Sequence, residues 1–184
     1  LLADKGDLAL RDVGLNERRM GFISVARRMG ATVLWDVERE AAGEPVGTIR
    51  ATASSLRGTT VEGAEVPGMI DELVLLACLA TRAEGDTIVR GAQELRVKES
   101  DRIASVVHNL RAIGAAAEET ADGFVVRGTR APLRGVVQTH GDHRVAMAFG
   151  VLARLPGNDI RIDDPKCVAV SYPRFWEDLE SLTQ

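Results

Sequence analysis

The side chains that could do chemistry are concentrated in three short charged stretches. The first, residues 96–102, reads Arg-Val-Lys-Glu-Ser-Asp-Arg and precedes an apolar pattern with helical spacing. On a helix, Lys98 and Arg102 would share a face near the positive end of the backbone dipole, where a phosphate or carboxylate could bind. The alternative is a solvated helix start, in which Glu99 and Asp101 complement the dipole and pair with the basic side chains.

The second stretch, residues 140–144, reads His-Gly-Asp-His-Arg and also opens a helical pattern. Arg144 near a helix N-terminus favours a bound anion, and the imidazole of His143 can transfer protons near neutral pH. In the alternative interpretation, Asp142 is only the N-cap and His143 only a partly exposed residue of the first turn.

The third stretch is the acidic pair Asp71 and Glu72, at the start of the apolar run 73–80. A carboxylate that enters a buried helix loses solvation, which suits a general base, although plain N-terminal capping is the alternative. All three stretches open helices of related repeats. This arrangement could gather them at one end of a domain, and together they indicate an anionic substrate.

Composition narrows the class of protein. The chain is 45% apolar and 27% charged, and its 184 residues fit one folded domain. A net charge of −4 without a basic block disfavours nucleic acid and anionic membranes, and the longest apolar run is too short to span a bilayer. Cys78 and Cys167 form no CxxC pair and no zinc-ligand spacing, so we expect no metal site and a reducing, cytoplasmic location.

An internal repeat predicts the architecture. Leu-Arg-Gly at 56–58 recurs at 133–135, and each copy runs from a strand to a polar corner and a helix. We predict an α/β (α+β) fold of repeated βαβαββ units, with a partial unit at about 1–55 and further units at 56–130 and 131–184. The predicted helices carry apolar faces at 22–29, 103–113 and 145–152, and the segment 70–80 is apolar nearly all round. The predicted strands include 47–51, 87–89 and 123–127.

The motifs resemble those of a known family. Residues 96–102, 142–147, 164–167 and 171–173 are similar to the C-terminal motifs of the EPSP synthase family of enolpyruvyl transferases, in the family's order. Residues 16–19 and 44–45 resemble upstream segments, so the resemblance spans nearly the whole chain. It implies a single C-terminal domain over 1–184, with a pseudo-threefold arrangement of helices and small sheets, and a substrate cleft shared with a second domain.

The resemblance also implies an activity. The family's enzyme transfers the enolpyruvyl group of phosphoenolpyruvate to the 5-hydroxyl of shikimate 3-phosphate, releasing phosphate, in chorismate and aromatic amino-acid biosynthesis. It needs no metal or organic cofactor, and we expect the complete enzyme to be a monomer. The chain begins with Leu1 and lacks the family's N-terminal Lys-Ser and Arg motifs. We therefore expect the N-terminal domain to be absent from this chain, and the chain alone to be inactive.

Carried over residue by residue, the resemblance implies specific roles. Asp71 becomes the base that accepts the hydroxyl proton, and Glu99 the proton donor to the phosphoenolpyruvate methylene. Lys98 contacts the hydroxyl and the transferred group. Arg102 and Arg144 hold the phosphate and carboxylate of phosphoenolpyruvate, as guanidinium groups suit such oxyanions.

Four further positions complete the expected site. Asp142 and His143 support the two arginines, with His143 counted among the catalytic side chains. Glu94 stands where some family members carry an Asn that touches shikimate 3-phosphate, and Val170 stands where some carry a Lys. These two departures affect one expected contact with each substrate.

Three other functions fit parts of the sequence. A related transferase acting on UDP-N-acetylglucosamine shares the fold, but the Lys-Glu-Ser-Asp-Arg and Asp-His-Arg motifs favour the shikimate enzyme. A non-catalytic repeat module that binds a protein partner would have no need of Asp71, Glu99, Arg102 and Arg144 together. An RNA-end-processing repeat protein would need a basic groove, which the acidic balance disfavours.

Overall fold

The computed structural model describes residues 1–3 and 5–182, which form a mixed helix and sheet fold. The helices are α1 (Gly21–Arg28), α2 (Leu73–Ala80), α3 (Arg102–Ala112), α4 (His143–Ala153) and α5 (Phe175–Ser181). The strands are β1 (Asp7–Gly14), β2 (Thr32–Ala41), β3 (Glu44–Thr52), β4 (Thr60–Val61), β5 (Asp86–Val89), β6 (Ala116–Thr120), β7 (Gly123–Arg127), β8 (Arg134–Val137) and β9 (Asp159–Ile162). Short 3-10 turns at Glu17–Arg19, Val66–Gly68, Ile70–Glu72, Gln93–Val97 and Pro165–Val170 connect them.

The strands form three small sheets. The first has the antiparallel order β1-β3-β2, and the second has the order β4-β5-β7-β6. In the second sheet β4 and β5 are parallel, whereas β5-β7 and β6-β7 are antiparallel. The third sheet is the parallel pair β8-β9. Each parallel pair needs a helical crossover between its strands, and α2 and α4 supply these crossovers.

The predicted unit order is present in the middle of the chain. Between β4 and β7 the elements follow as β4-α2-β5-α3-β6-β7, which is the βαβαββ order expected for 56–130. The elements before it follow as β1-α1-β2-β3, and those after it as β8-α4-β9-α5. The unit boundaries themselves stay predictions.

The helices carry the hydrophobic core. Seven of the eight residues of α2 are buried, as expected for a helix that is apolar nearly all round. The predicted apolar face of α3 is buried from Ile103 to Ile113, and Gly114 ends the helix with a φ of +91°, a conformation that favours glycine. The predicted face of α4 is confirmed in the same way, because Val145, Phe149 and Leu152 are buried. No helix within 1–3 and 5–182 has the length and apolarity to cross a membrane.

Two local predictions differ from the structure. Lys98 and Arg102 do not share a helix face, because α3 begins only at Arg102 and Lys98 has extended backbone angles. The reason is the N-cap at Asp101, whose side chain accepts a hydrogen bond from the Ala104 amide and so starts the helix after Lys98. The predicted helix over 70–80 is likewise divided into a 3-10 turn, Ile70–Glu72, and α2.

Candidate functional site

Three guanidinium groups from separate parts of the chain surround the Asp71 carboxylate. Arg144 Nη2 lies 3.1 Å from Asp71 Oδ2, and Arg19 Nη2 lies 3.4 Å from the same oxygen. Arg102 Nη1 lies 3.6 Å from Asp71 Oδ1. The carboxylate is held on the 3-10 turn Ile70–Glu72, directly before the buried helix α2. Helix starts that are far apart in sequence therefore meet at one carboxylate.

Arg102 is the buried centre of this cluster, with only 1% of its side chain exposed. Its Nε donates to Asp142 Oδ2 at 2.8 Å, and its Nη2 donates to Glu99 Oε2 and, at 3.4 Å, to Asp142 Oδ1. Ser100 Oγ donates to Asp142 Oδ2 at 3.0 Å. A buried charge is tolerated when it is paired and hydrogen-bonded, and this network meets both conditions. The orientation of the guanidinium is consequently fixed.

Asp142 links this network to helix α4. Its side chain caps the helix by accepting hydrogen bonds from the amides of Arg144 at 2.9 Å and Val145 at 3.4 Å. Burial alone would raise the pKa of Asp142, but hydrogen bonds from the Arg102 guanidinium, the Ser100 hydroxyl and the Arg144 amide hold that pKa below its usual value. The N-cap that the sequence suggested is confirmed, and the same carboxylate also orients Arg102.

Two anchors hold the loops that carry the site. Arg96 donates to Asp101 Oδ2 at 2.8 Å and to the carbonyls of Thr120 and Ala121, and it pairs with Glu119. These contacts attach the stretch before α3 to the β6-β7 hairpin. The carboxylates of Asp101 and Glu119 raise the pKa of Arg96, so its charge is maintained.

The second anchor is Asp163, which follows β9. Asp163 Oδ1 accepts hydrogen bonds from the amide and hydroxyl of the buried Thr139 at 2.9 and 2.8 Å. It also accepts one from the Asp164 amide. Burial acts to raise the pKa of Asp163, but these hydrogen bonds hold it below its usual value. The turn that leads into α4 is thereby fixed to the end of β9.

The remaining predicted residues lie outside the direct contacts of Asp71. Lys98 Nζ pairs with Glu94 Oε1 at 2.7 Å, with Glu94 mostly exposed. His143 is a partly exposed residue in the first turn of α4. Val170 ends the 3-10 turn Pro165–Val170 with 86% of its surface exposed. The structure therefore joins five of the predicted residues, Asp71, Glu99, Arg102, Asp142 and Arg144. In the described ranges Lys98 and Glu94 pair with each other, and they and His143 make no hydrogen bond to that group.

Two residues of this cluster, Arg19 and Ser100, carried no predicted role. Arg19 contacts Asp71 and also lies 3.5 Å from Glu72 Oε1. Ser100 was recognised within its motif, but its contact with Asp142 spans 42 positions and depends on the fold. The signal that could have found Arg19 is the sequence Asn-Glu-Arg-Arg at 16–19, because Asn16 caps a short turn that ends in a basic residue.

The cluster offers oxyanion donors beside carboxylates that can exchange protons. Arg144 is partly exposed, with 31% of its side chain accessible, and Glu99 is 52% exposed. Guanidinium groups bind carboxylates and phosphates through paired N–H donors. Within 1–3 and 5–182, no group of three or more His, Cys, Asp or Glu side chains is arranged to hold a metal ion. The geometry suits acid-base chemistry on a bound anion.

Comparison with known proteins identifies the family. A family model described as EPSP synthase (3-phosphoshikimate 1-carboxyvinyltransferase) matches residues 1–179. This chain belongs to the EPSP synthase family. Among EPSP synthase relatives, the 3-phosphoshikimate 1-carboxyvinyltransferase of Desulforudis audaxviator is 46% identical over 183 residues, which are 99% of this chain and 42% of the relative. The corresponding protein of Sulfurihydrogenibium sp. is 45% identical over 177 residues, which are 96% of this chain and 41% of the relative.

Solved structures agree with this family. The EPSP synthase from Acinetobacter baumannii superposes with a TM-score of 0.89 at 38% identity, covering 97% of this chain and 42% of that one. The enolpyruvyl transferase NikO from Streptomyces tendae superposes with a TM-score of 0.71 at 23% identity, covering 99% of this chain and 39% of that one, which shows the shared fold. The predicted enolpyruvyl transferase-like fold is confirmed. The chain spans about two fifths of the length of the relatives it matches.

Proposed function

We propose that this chain forms the phosphoenolpyruvate-binding part of a 3-phosphoshikimate 1-carboxyvinyltransferase. The complete enzyme transfers the enolpyruvyl group of phosphoenolpyruvate to the 5-hydroxyl of shikimate 3-phosphate. The observation that carries the proposal is the convergence of Arg102 and Arg144 on Asp71 in a chain of the EPSP synthase family. Phosphoenolpyruvate carries a phosphate and a carboxylate, so two guanidinium groups complement its charge.

The two arginines would bind phosphoenolpyruvate in different ways. Arg102 is fixed by Asp142 before any ligand arrives, so little reorganisation accompanies binding. Arg144 is partly exposed and is positioned by the N-cap of its own helix. In the described ranges both arginines pair with Asp71. The anion would therefore bind close to the Asp71 carboxylate.

Asp71 and Glu99 would carry out the two proton transfers of the addition step. The 5-hydroxyl oxygen attacks C2 of phosphoenolpyruvate while Asp71 accepts its proton, and Glu99 donates a proton to C3. In the elimination step Glu99 takes a proton back from C3, the C2–O bond to phosphate breaks, the double bond re-forms, and the departing phosphate takes up the proton that Asp71 received. Both carboxylates contact the same Arg102 guanidinium, so both are within reach of one bound molecule.

The other expected residues support these steps. Lys98, released from Glu94, would contact the hydroxyl and the transferred group, and Glu94 would face shikimate 3-phosphate. Asp142 orients Arg102, and His143 lies beside Arg144 at the same helix start. The exposed Val170 provides no charge for phosphoenolpyruvate.

We extend the proposal to the protein as a whole. The chain is one domain, with units at about 1–55, 56–130 and 131–184, and an N-terminal substrate domain supplies the remaining contacts with both substrates. No cofactor takes part, and the complete enzyme acts as a monomer. The unpaired cysteines at 78 and 167 support a reducing, cytoplasmic location.

Calorimetric titration tests the function. Phosphoenolpyruvate and shikimate 3-phosphate are titrated into this chain alone, and then into the chain combined with the separately expressed remaining part of the Acinetobacter baumannii enzyme, here named the assembled enzyme. Binding and turnover should appear only in the assembled enzyme. Arg144→Gln should lower kcat/KM by roughly 10²- to 10³-fold, because one preorganised charged donor is lost.

The matched control is Arg154→Gln, which removes the same charge just after the other end of α4. It should leave kcat/KM close to that of the unsubstituted enzyme. If the chain is folded and associates with the remaining part, but the assembled enzyme binds neither substrate, the proposed function is wrong.

A further inference from the structure

Arg19 reaches the site from a different unit of the fold. It ends the 3-10 turn Glu17–Arg19, which Asn16 caps by accepting a hydrogen bond from the Arg18 amide at 2.9 Å. Its Nη2 lies 3.4 Å from Asp71 Oδ2 and 3.5 Å from Glu72 Oε1. One guanidinium nitrogen thus bridges two neighbouring carboxylates, although 58% of the Arg19 side chain is exposed.

The backbone beside Arg19 is packed directly against the segment that leads to Asp71. A Cβ atom added at Gly21 would lie 2.7 Å from the Gly68 carbonyl oxygen, a distance that only a glycine permits. A Cβ added at Gly68 would lie 3.4 Å from the Arg18 carbonyl oxygen. The two turns therefore touch through their main chains, and the reach of Arg19 to Asp71 is set by that contact.

Glu72 makes this bridge necessary. The Oε2 atom of Glu72 is buried and has no hydrogen-bond partner in the described ranges. Its other carboxylate oxygen, Oε1, pairs with Arg19. Adjacent carboxylates repel each other, and a desolvated one is costly without a cation. In the described ranges Arg102 and Arg144 are the other cations at Asp71, and in the proposed function the bound anion would compete with Asp71 for both.

We propose that Arg19 is a positioning residue, which holds the Asp71 carboxylate in place through Nη2 when a bound anion engages Arg102 and Arg144. The inference rests on the proposed function, since it gives Asp71 its role. Arg19 neutralises Glu72 and keeps one cationic partner on Asp71 throughout the reaction. It acts through Asp71 and has no contact with phosphoenolpyruvate itself.

The kinetic test separates this role from a merely structural one. Arg19→Gln in the assembled enzyme should lower kcat roughly 10- to 100-fold, because small misplacements of a catalytic group have effects of that size. The KM for phosphoenolpyruvate should change by less than about threefold, since the interaction lost is mainly one of the transition state. Arg19→Lys keeps the charge and should restore part of kcat. Arg18→Gln, which removes the same charge one position away, should retain kcat.

Inorganic phosphate titrated into the assembled enzyme, followed by NMR amide shifts, gives a second readout. Without Arg19, Asp71 competes more strongly for Arg102 and Arg144, so Arg19→Gln should weaken phosphate binding more than Arg18→Gln. Equal kcat and equal phosphate affinity in these two variants, with an active unsubstituted enzyme, would overturn the inference about Arg19. A loss of kcat that Arg19→Lys fails to restore and that follows the loss of thermal stability would overturn it as well. An inactive unsubstituted enzyme instead contradicts the proposed function.

Discussion

At the scale of single residues, burial separates the charges that hold the fold from those left available for a ligand. Arg102 and Asp142 are buried and paired with each other, whereas Arg144, Glu99 and Arg19 are partly exposed. The first four of these residues were singled out from the sequence, because their motifs precede or open predicted helices. The contact of Arg19 with Asp71 was missed because it joins residues 52 positions apart, and no local pattern reports such a pairing.

Removal of Arg102 should destabilise the fold more than removal of its exposed partner. Arg102→Met leaves Asp142 buried without its cation, so the free energy of unfolding should fall by about 3 to 5 kcal/mol. Glu99→Gln removes a half-exposed ion pair and should change the free energy of unfolding by less than about 1 kcal/mol. Urea unfolding followed by circular dichroism measures both values. Equal losses of unfolding free energy in the two variants would show that the buried Arg102–Asp142 pair stabilises the fold no more than the exposed Glu99 pair does.

The two cysteines should differ in their reaction with thiol reagents. Burial raises the pKa of the Cys78 thiol strongly, and it also raises the pKa of the partly buried Cys167. The thiolate is the reactive form, so Cys167 should react slowly with a chromogenic disulfide and Cys78 only after unfolding. Cys167→Ser should then show no fast-reacting thiol in native buffer and one in urea. Rapid modification of native Cys167→Ser would contradict the burial of Cys78.

At the scale of the elements, caps and loop anchors decide where the site residues lie. The apolar faces of α3 and α4 were predictable because helical periodicity is local. The start of α3 was not predictable in this way. Lys98 lies outside the helix because Asp101 is the N-cap and because Arg96 is hydrogen-bonded to the β6-β7 hairpin. A helix boundary thus depended on a hairpin that lies further along the chain.

Close contact between Gly21, at the start of α1, and Gly68, at the end of the 3-10 turn Val66–Gly68, gives a test at this scale. Gly21→Ala places a methyl group 2.7 Å from the Gly68 carbonyl oxygen, so either the start of α1 or the turn at Gly68 must move. We expect a loss of roughly 1 to 3 kcal/mol in the free energy of unfolding, as for other overpacked sites. The assembled enzyme should also lose kcat, because Asp71 follows the displaced turn.

The matched control is Gly14→Ala at the end of β1, where an added Cβ has no heavy atom within 4 Å. Its stability and kcat should remain close to those of the unsubstituted protein. Thermal melting and initial-rate assays provide the two measurements. A Gly21→Ala variant as stable and active as Gly14→Ala would show that α1 and the turn at Gly68 have room to separate.

At the scale of the whole molecule, the repeat predicted the sequence of elements but not their meeting point. The order β4-α2-β5-α3-β6-β7 followed from recurring phrases and from periodicity. The turns before α2, α3 and α4 converge on Asp71. This convergence depends on how the three small sheets pack around the helices. The sequence suggested only that the helix starts of related repeats lie at one end of the domain. The distances between their side chains and Asp71 could be read only from the folded structure.

Carboxylates held by hydrogen bonds should make the whole fold sensitive to acid. Asp163 is the clearest case, because its pKa in the folded state lies below its usual value of 3.8. A lowered folded-state pKa means that the unfolded chain binds the proton first as the pH falls. The contribution of Asp163 to stability is therefore fully present above about pH 5 and is lost as the pH falls from near 4 through the folded-state value.

Asp163→Asn tests this linkage, with Asp159→Asn as its control. The first variant weakens the hydrogen bonds with Thr139, whereas the Asp159 side chain makes no hydrogen bond in the described ranges. Urea unfolding at pH 6 should find Asp163→Asn less stable than both the unsubstituted protein and Asp159→Asn. At pH 3 the difference should shrink, because the unfolded chain is then largely protonated at Asp163 and part of the stabilisation by the folded carboxylate is lost. A difference that stays constant from pH 6 to pH 3 would mean that Asp163 stabilises the turn by packing and not by its charge.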